Sequence, residues 1–185
     1  KNFKKIMNIV DEEKKEQLSF GITNKKENKF NIFAELITKI VKNIHKELGP
    51  GFTESVYQGA LAIELRKFDI NYLKEMTFEI FYKKQVAGEG RLDFFINDKK
   101  IPNFIIETKS LSCLSDSSRS QITSYLLSAQ LNSDKELQKT KFGVLINWPG
   151  ASINDDNYQL VNKEPEIEFY ALKNKTVSLL EVNKV

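Results

Sequence analysis

Hydrophobic positions along the chain follow two rhythms. From Phe30 onward, Phe30, Phe33, Ala34, Ile37, Ile40, Val41, Ile44 and Leu48 recur at three- and four-residue steps. That spacing marks one buried helical face, and Gly49-Pro50-Gly51 stops it. A second helix is expected over residues 53–68, with Thr53 at its N-cap and Val56, Tyr57, Ala60, Leu61 and Leu65 as its apolar stripe. The rhythm then changes to two. In 76–82, Met76, Phe78, Ile80 and Tyr82 alternate with Thr77, Glu79 and Phe81, as in a half-buried strand.

Residues 83–90 contain a turn with Gly88. Residues 91–96 read as a second strand, and Asn97-Asp98-Lys99-Lys100 as a hairpin turn. A third strand is expected over 103–109, where Phe104-Ile105-Ile106 predicts burial on both faces. A helix over 116–131 turns Ile122, Leu126 and Ala129 inward. Residues 141–147 form another buried strand, and 166–172 with 176–182 a closing hairpin around Asn174. The order predicts an α/β fold, a mixed sheet flanked by helices.

Composition narrows the class. The chain has 185 residues, 41% of them hydrophobic, enough for one domain with a core of its own. A single cysteine, Cys113, permits no internal disulfide and no four-cysteine cluster. No apolar run approaches the length of a membrane helix, and nothing in 1–29 reads as a signal segment. A reducing, intracellular setting, cytoplasmic or virus-associated rather than secreted, is the expectation. The net charge is +3, and segment 1–29, with eight lysines against five acids, accounts for all of it. The division expected is a basic N-terminal arm over 1–29, partly helical or disordered, and a domain over 30–185. Overall charge does not establish a nucleic-acid partner; local clusters such as Lys83-Lys84 and Lys99-Lys100 would have to supply it.

The residues that can carry chemistry stand at strand ends. Glu107 and Lys109 flank Thr108 and share one face of the third strand. Asp93 lies on the preceding strand, where hairpin pairing can bring it beside Glu107. Two partly buried carboxylates repel unless a cation lies between them, and a hard divalent ion answers that need. An ordinary cross-strand salt bridge is the competing explanation. Glu-x-Lys recurs at 12–14, 13–15 and 27–29, but only 107–109 closes a buried apolar run. Upstream, Gly51 to Tyr57 has the form G-x-x-E-x-x-Y, placing Glu54 in a first helical turn that tolerates an anion. Gln121 and Tyr125 are four apart on one helical face.

These segments together resemble the GxxExxY protein family, a branch of the PD-(D/E)xK nuclease superfamily with RecB-like and lambda-exonuclease-like relatives. The matching stretches, within 39–150, are VKNIHKELGPGFTESVYQGALAIELRK, GEGRLDFFI, FIIETKS, QITSYL and GVLINWPG. The resemblance implies a restriction-endonuclease-like mixed sheet with an α-β-β-β-α-β core, making 30–185 a nuclease-like domain. It also implies Mg²⁺ or Mn²⁺ held by Asp93, Glu107, the Thr108 carbonyl and Glu54. Lys109 would orient the attacking water, while Gln121 and Tyr125 support the site and the substrate phosphate. Leu92 stands where the superfamily's name has proline, a permissive position. Arg119, one helical step before Gln121, is a candidate phosphate contact. His45 is assigned no catalysis, and Trp148 is expected to pack at the sheet edge.

The expected activity is metal-dependent hydrolysis of DNA, single- or double-stranded, with exonuclease character implied by the Q-x-x-x-Y resemblance. The alternative is a nucleic-acid-binding or assembly module that keeps the fold without cutting. A structural protein using the acids in salt bridges is a third reading. No membrane association is expected, and homo-oligomerisation stays open.

Overall fold

The computed structural model describes residues 25–150, 152–154, 159–161 and 163–180. Most of the expected basic arm therefore lies outside the described residues. Helix α1 (Lys25–Leu48) starts ahead of the expected Phe30. Its whole predicted stripe is buried except Leu48, which is partly so, and Ile32 and Leu36 widen that face. Phe33 meets the Phe104 ring at 4.2 Å and Phe30 stacks on Phe142 at 4.7 Å, fixing α1 to the sheet. Gly49, at φ 73°, ends the helix and donates its N–H to the His45 carbonyl at 2.8 Å.

Helix α2 (Glu54–Lys67) follows a short turn. Thr53 sits at its N-cap position but does not cap it: the side chain pairs with Ser55 Oγ at 3.0 Å instead. Strands β1 (Tyr72–Tyr82), β2 (Gln85–Ile96) and β3 (Phe104–Lys109) come next, then helices α3 (Asp116–Ala129) and α4 (Lys135–Gln138). Strand β4 (Phe142–Asn147) is followed by the short β5 (Ser152–Asn154) and β6 (Gln159–Val161), then β7 (Glu166–Lys173) and β8 (Thr176–Leu180). The six-stranded sheet runs β1-β2-β3-β4-β7-β8, while β5 and β6 pair separately. Only β3 and β4 pair in parallel; α3 lies within the crossover that joins them. This is the expected α-β-β-β-α-β order, a mixed sheet with α1 and α2 on one face and α3 on the other.

One sequence expectation needs correction. The turn expected within 83–90 falls at Lys83-Lys84, both at positive φ (49° and 68°), but Gly88 is not part of it: β2 starts at Gln85 rather than at the expected 91, and Gly88 and Gly90 lie inside the strand. Gly90 is there because a Cβ would come within 2.5 Å of Phe78 Cε1. Glycine here serves a close ring crossing rather than a turn. Side-chain alternation in β2 is broken at one point. Leu92 and Phe95 pack towards α3, whereas Phe94 and Ile96 pack towards α1 and α2. The switch falls at Asp93, at the level of Glu75, whose φ of 54° breaks the ladder between Lys74↔Phe94 and Met76↔Leu92. A local break of this kind re-aims one side chain, and the side chain at this level is Asp93.

Among the described residues, no helix is long and apolar enough to cross a membrane. Cys113 is exposed in the connection between β3 and α3.

Candidate active site

The apolar β3 run ends where the site begins. Phe104, Ile105 and Ile106 are fully buried, and β2 pairs with β3 only through Phe94↔Ile106, Phe95↔Ile105 and Ile96↔Phe104. One step further, Asp93 faces Glu107 in register and side chains replace the backbone ladder. The Asp93 N–H donates to Glu107 Oε1 at 3.3 Å. In return, Thr108 donates both its N–H and its hydroxyl to Asp93 Oδ2, each at 2.8 Å. The splayed strands thus hold the two carboxylates together. In an extended strand one residue's N–H and C=O project to the same side, so the Thr108 carbonyl also faces the gap beside Asp93.

Burial makes this arrangement electrostatically costly. Glu107 is 1% exposed. Desolvation, then the charge of Asp93, pushes its carboxyl up to about 8, against the pull of Lys109. Lys109 Nζ lies 3.7 Å from Glu107 Oε2, the one ion pair Glu107 makes among the described residues. Glu54, at the start of α2, is raised for the same reasons in the same order, burial and then Asp93, with Lys109 and Arg91 opposing. Three carboxylates therefore share one field, which one lysine contact does not neutralise.

Helix α2 is tied to β3 by a residue the sequence reading passed over. Gln58 Nε2 donates to Glu54 Oε1 at 3.2 Å and to Thr108 Oγ1 at 2.9 Å. A hydrogen-bonded chain thus runs Glu54–Gln58–Thr108–Asp93–Glu107. The signal was present: Gln58 is one helical turn after Glu54 and sits among apolar neighbours, where a glutamine is buried only with partners. The tyrosine of G-x-x-E-x-x-Y sets the entry to α2. Tyr57 Oη donates to the Gly49 carbonyl at 2.7 Å and accepts from the Phe52 N–H at 3.4 Å. Its ring lies parallel to Trp148, centroids 5.1 Å apart and planes 2° apart. Trp148 is fully buried and its backbone N–H donates to the Lys109 carbonyl at 3.0 Å. Ser110 Oγ donates to the Phe52 carbonyl at 3.0 Å. The motif therefore anchors the loop before Glu54 to the strand end that bears Lys109.

The α3 residues divide. Gln121 and Tyr125 share a face as expected, Nε2 to Oη at 3.2 Å, and Tyr125 meets Phe78 edge-on at 5.2 Å. Among the described residues, neither is hydrogen-bonded to Asp93, Glu107 or Lys109; their bond is to each other. Arg119 does not stand ready for a phosphate. It is clamped on Glu168, with contacts of 2.8 and 3.1 Å, and Glu168 also accepts from Tyr170 Oη.

With this geometry in place, comparison with known families is informative. A family model described as the PD-(D/E)XK nuclease superfamily matches residues 31–157, more than half of the chain. The chain belongs to that superfamily. The mixed sheet with flanking helices is the restriction-endonuclease-like fold of this superfamily, whose members are generally nucleases that use a divalent metal, typically Mg²⁺ or Mn²⁺. No curated protein matches the chain. A solved structure titled "Crystal structure of SSO0001" aligns at 19% identity and a TM-score of 0.35, covering 60% of this chain and 48% of that one. The chain thus spans about half the length of that solved chain.

The donor set fits the metal a PD-(D/E)XK site takes. Asp93, Glu107 and Glu54 are hard oxygen donors, and burial first, then the charge of Asp93, raises Glu107 despite Lys109, a cost that a cation between the carboxylates would relieve. Among the described residues, no three His, Cys, Asp or Glu side chains form a ready cage. An ion such as Mg²⁺ takes one or two carboxylates and completes its shell with water and substrate phosphate.

Proposed function

We propose that this PD-(D/E)XK chain is a metal-dependent deoxyribonuclease of the GxxExxY branch, exonuclease-like as RecB-like and lambda-exonuclease-like relatives are. One observation carries the reading: Asp93 and Glu107 face each other in register at the end of a buried strand, with Lys109 Nζ beside the pair. A structural salt bridge would match charges. Here carboxylates outnumber the cation that touches them, and the buried one is pushed up to about 8.

Each residue then has a task. Asp93 and Glu107 would hold the metal, with the Thr108 carbonyl and Glu54 as further oxygen donors. When bound, the divalent ion supplies charge neutralisation at the scissile phosphate. Lys109 orients the attacking water in line with the scissile P–O bond and offsets charge developing on the phosphate oxygens. Gln58 fixes the Glu54 carboxylate, and Thr108 fixes Asp93. Gln121 and Tyr125 face the substrate from α3 and support its phosphate.

The non-cleaving alternative is a binding or assembly module on the same fold. The lack of a three-carboxylate cage among the described residues is the observation in its favour. A divalent-metal panel on end-labelled linear and circular DNA, with wild type beside Glu107→Ala, separates the readings. The proposal expects Mg²⁺- or Mn²⁺-dependent loss of linear DNA that Glu107→Ala abolishes. Undiminished activity in EDTA or in Glu107→Ala overturns it, and cutting of circles would overturn its exonuclease part.

A further inference from the structure

Strand β2 continues well past the point where it leaves β3. Its pairing with β3 stops at Phe94, yet β2 reaches back to Gln85 on β1 alone. Because β2 and β3 are antiparallel, this two-stranded ribbon extends beyond the carboxylate end of β3, the end that carries Glu107 and Lys109. Residues 82–89 are all exposed. At about 3.3 Å per residue, the stretch from Asp93 back to Lys84 spans about 30 Å. That is close to one helical turn of a duplex, about 34 Å.

The ribbon is basic where it matters. Lys83 and Lys84 form its tip, Tyr82 beside them is 65% exposed, and Lys83 Nζ lies 5.2 Å from the Tyr82 ring centroid. Arg91 stands exposed at the base, close enough to Glu54 to oppose its raised pKa. Among the described residues, none of these three cations makes an ion pair. The tip is also a poor turn on its own terms. Two consecutive positive-φ positions favour Asn-Gly, and lysine at each carries strain. Turn chemistry therefore does not account for the lysines.

We propose that the β1–β2 ribbon is a duplex-tracking arm, whose Lys83 and Lys84 contact backbone phosphates about one helical turn from the bond held at Asp93 and Glu107. It rests on the nuclease reading for the location of that bond. A two-stranded ribbon has the width to lie along a duplex groove. Arg91 places a further cation at the base, with the exposed cross-strand acids Glu79 and Glu89 between it and the tip, so the phosphate contacts fall to Lys83 and Lys84.

The decisive variant is Lys83→Asn/Lys84→Gly, which removes both charges while supplying the residues this turn prefers, so the hairpin keeps or gains stability. Binding is measured by fluorescence anisotropy in EDTA, across salt concentrations, on stem-loop DNAs with stems of about 20 and about 5 base pairs. Cleavage of the same DNAs is followed in Mn²⁺. For the long stem the variant should bind about 10-fold more weakly, with a salt slope shallower by about 2. For the short stem it should match wild type. Unchanged long-stem binding, or equal loss on both stems, overturns the arm. A wild type that binds with this lysine dependence but never cuts would leave the arm standing and sink the nuclease reading. Normal cutting with no lysine dependence would do the reverse.

Discussion

Gln58 Nε2 lies 2.9 Å from Thr108 Oγ1, joining helix α2 to the end of β3 across 50 residues of sequence. The Thr108 hydroxyl in turn donates a hydrogen bond to Asp93 Oδ2, so the position of one carboxylate depends on a glutamine that touches neither it nor Glu107. Replacing Gln58 by Leu should therefore slow DNA cleavage about 10- to 100-fold, as loss of an orienting partner does in metal sites. The cost in folding stability should be about 1–2 kcal/mol. Steady-state kinetics beside a thermal melt would check this, and unchanged kcat would remove Gln58 from the site.

Glu107 sets a pH signature. Its carboxyl is raised from 4.5 to about 8 in the folded protein. Between those values the native state holds a proton that the unfolded chain has lost, so stability falls as pH rises through this window. Metal-free protein should lose a few kcal/mol between about pH 4.5 and 8 through this group. Glu107→Gln should flatten that slope, melting higher than wild type at pH 8 while being inactive. Denaturant titrations across pH would detect it. Parallel pH profiles for the two proteins would contradict the assignment.

The same proton competes with metal. Mn²⁺ needs the ionised carboxylate, so its binding should tighten as pH rises towards about 8 and release a proton where Glu107 is still protonated. The Mn²⁺-induced rise in Tm should be larger at pH 8 than at pH 5, and Glu107→Gln should lose most of it. A rise of equal size at both pH values would point to metal bound elsewhere.

Gly90 bears on packing rather than chemistry. A Cβ there would meet Phe78 Cε1 at 2.5 Å, and the Phe78 ring is held by Tyr125 on α3. Gly90→Ala should destabilise by about 1–3 kcal/mol. Adding Phe78→Leu should recover part of the loss, a coupling that a double-mutant cycle in urea would measure. Additive effects would mean that the ring has room to move.

How far the sequence discloses this molecule depends on whether a residue's role is local. The α1 stripe, the buried Phe104-Ile105-Ile106 run and the acids that follow apolar strands all announce themselves, because periodicity and burial are written in neighbouring positions. Asp93 and Glu107 meet because hairpin register is set by that same pattern. Gln58 is less visible, since its burial depends on α2 docking against a strand end far along the chain. The β1–β2 turn misleads for the opposite reason: glycines at 88 and 90 suggest a bend, while the real turn uses two lysines in strained conformations. Arg119 looks available for a ligand until β7 supplies Glu168, from a distant segment that local spacing does not place beside it.

The stack of Tyr57 on Trp148 has a practical consequence. Trp148 is the sole tryptophan of the chain, and it is fully buried between the G-P-G turn and the strand end bearing Lys109. Its emission is therefore a built-in optical gauge of whether α2 is seated on the sheet. A red shift on dilution, mutation or ligand addition would report that seating coming apart, with no dye attached.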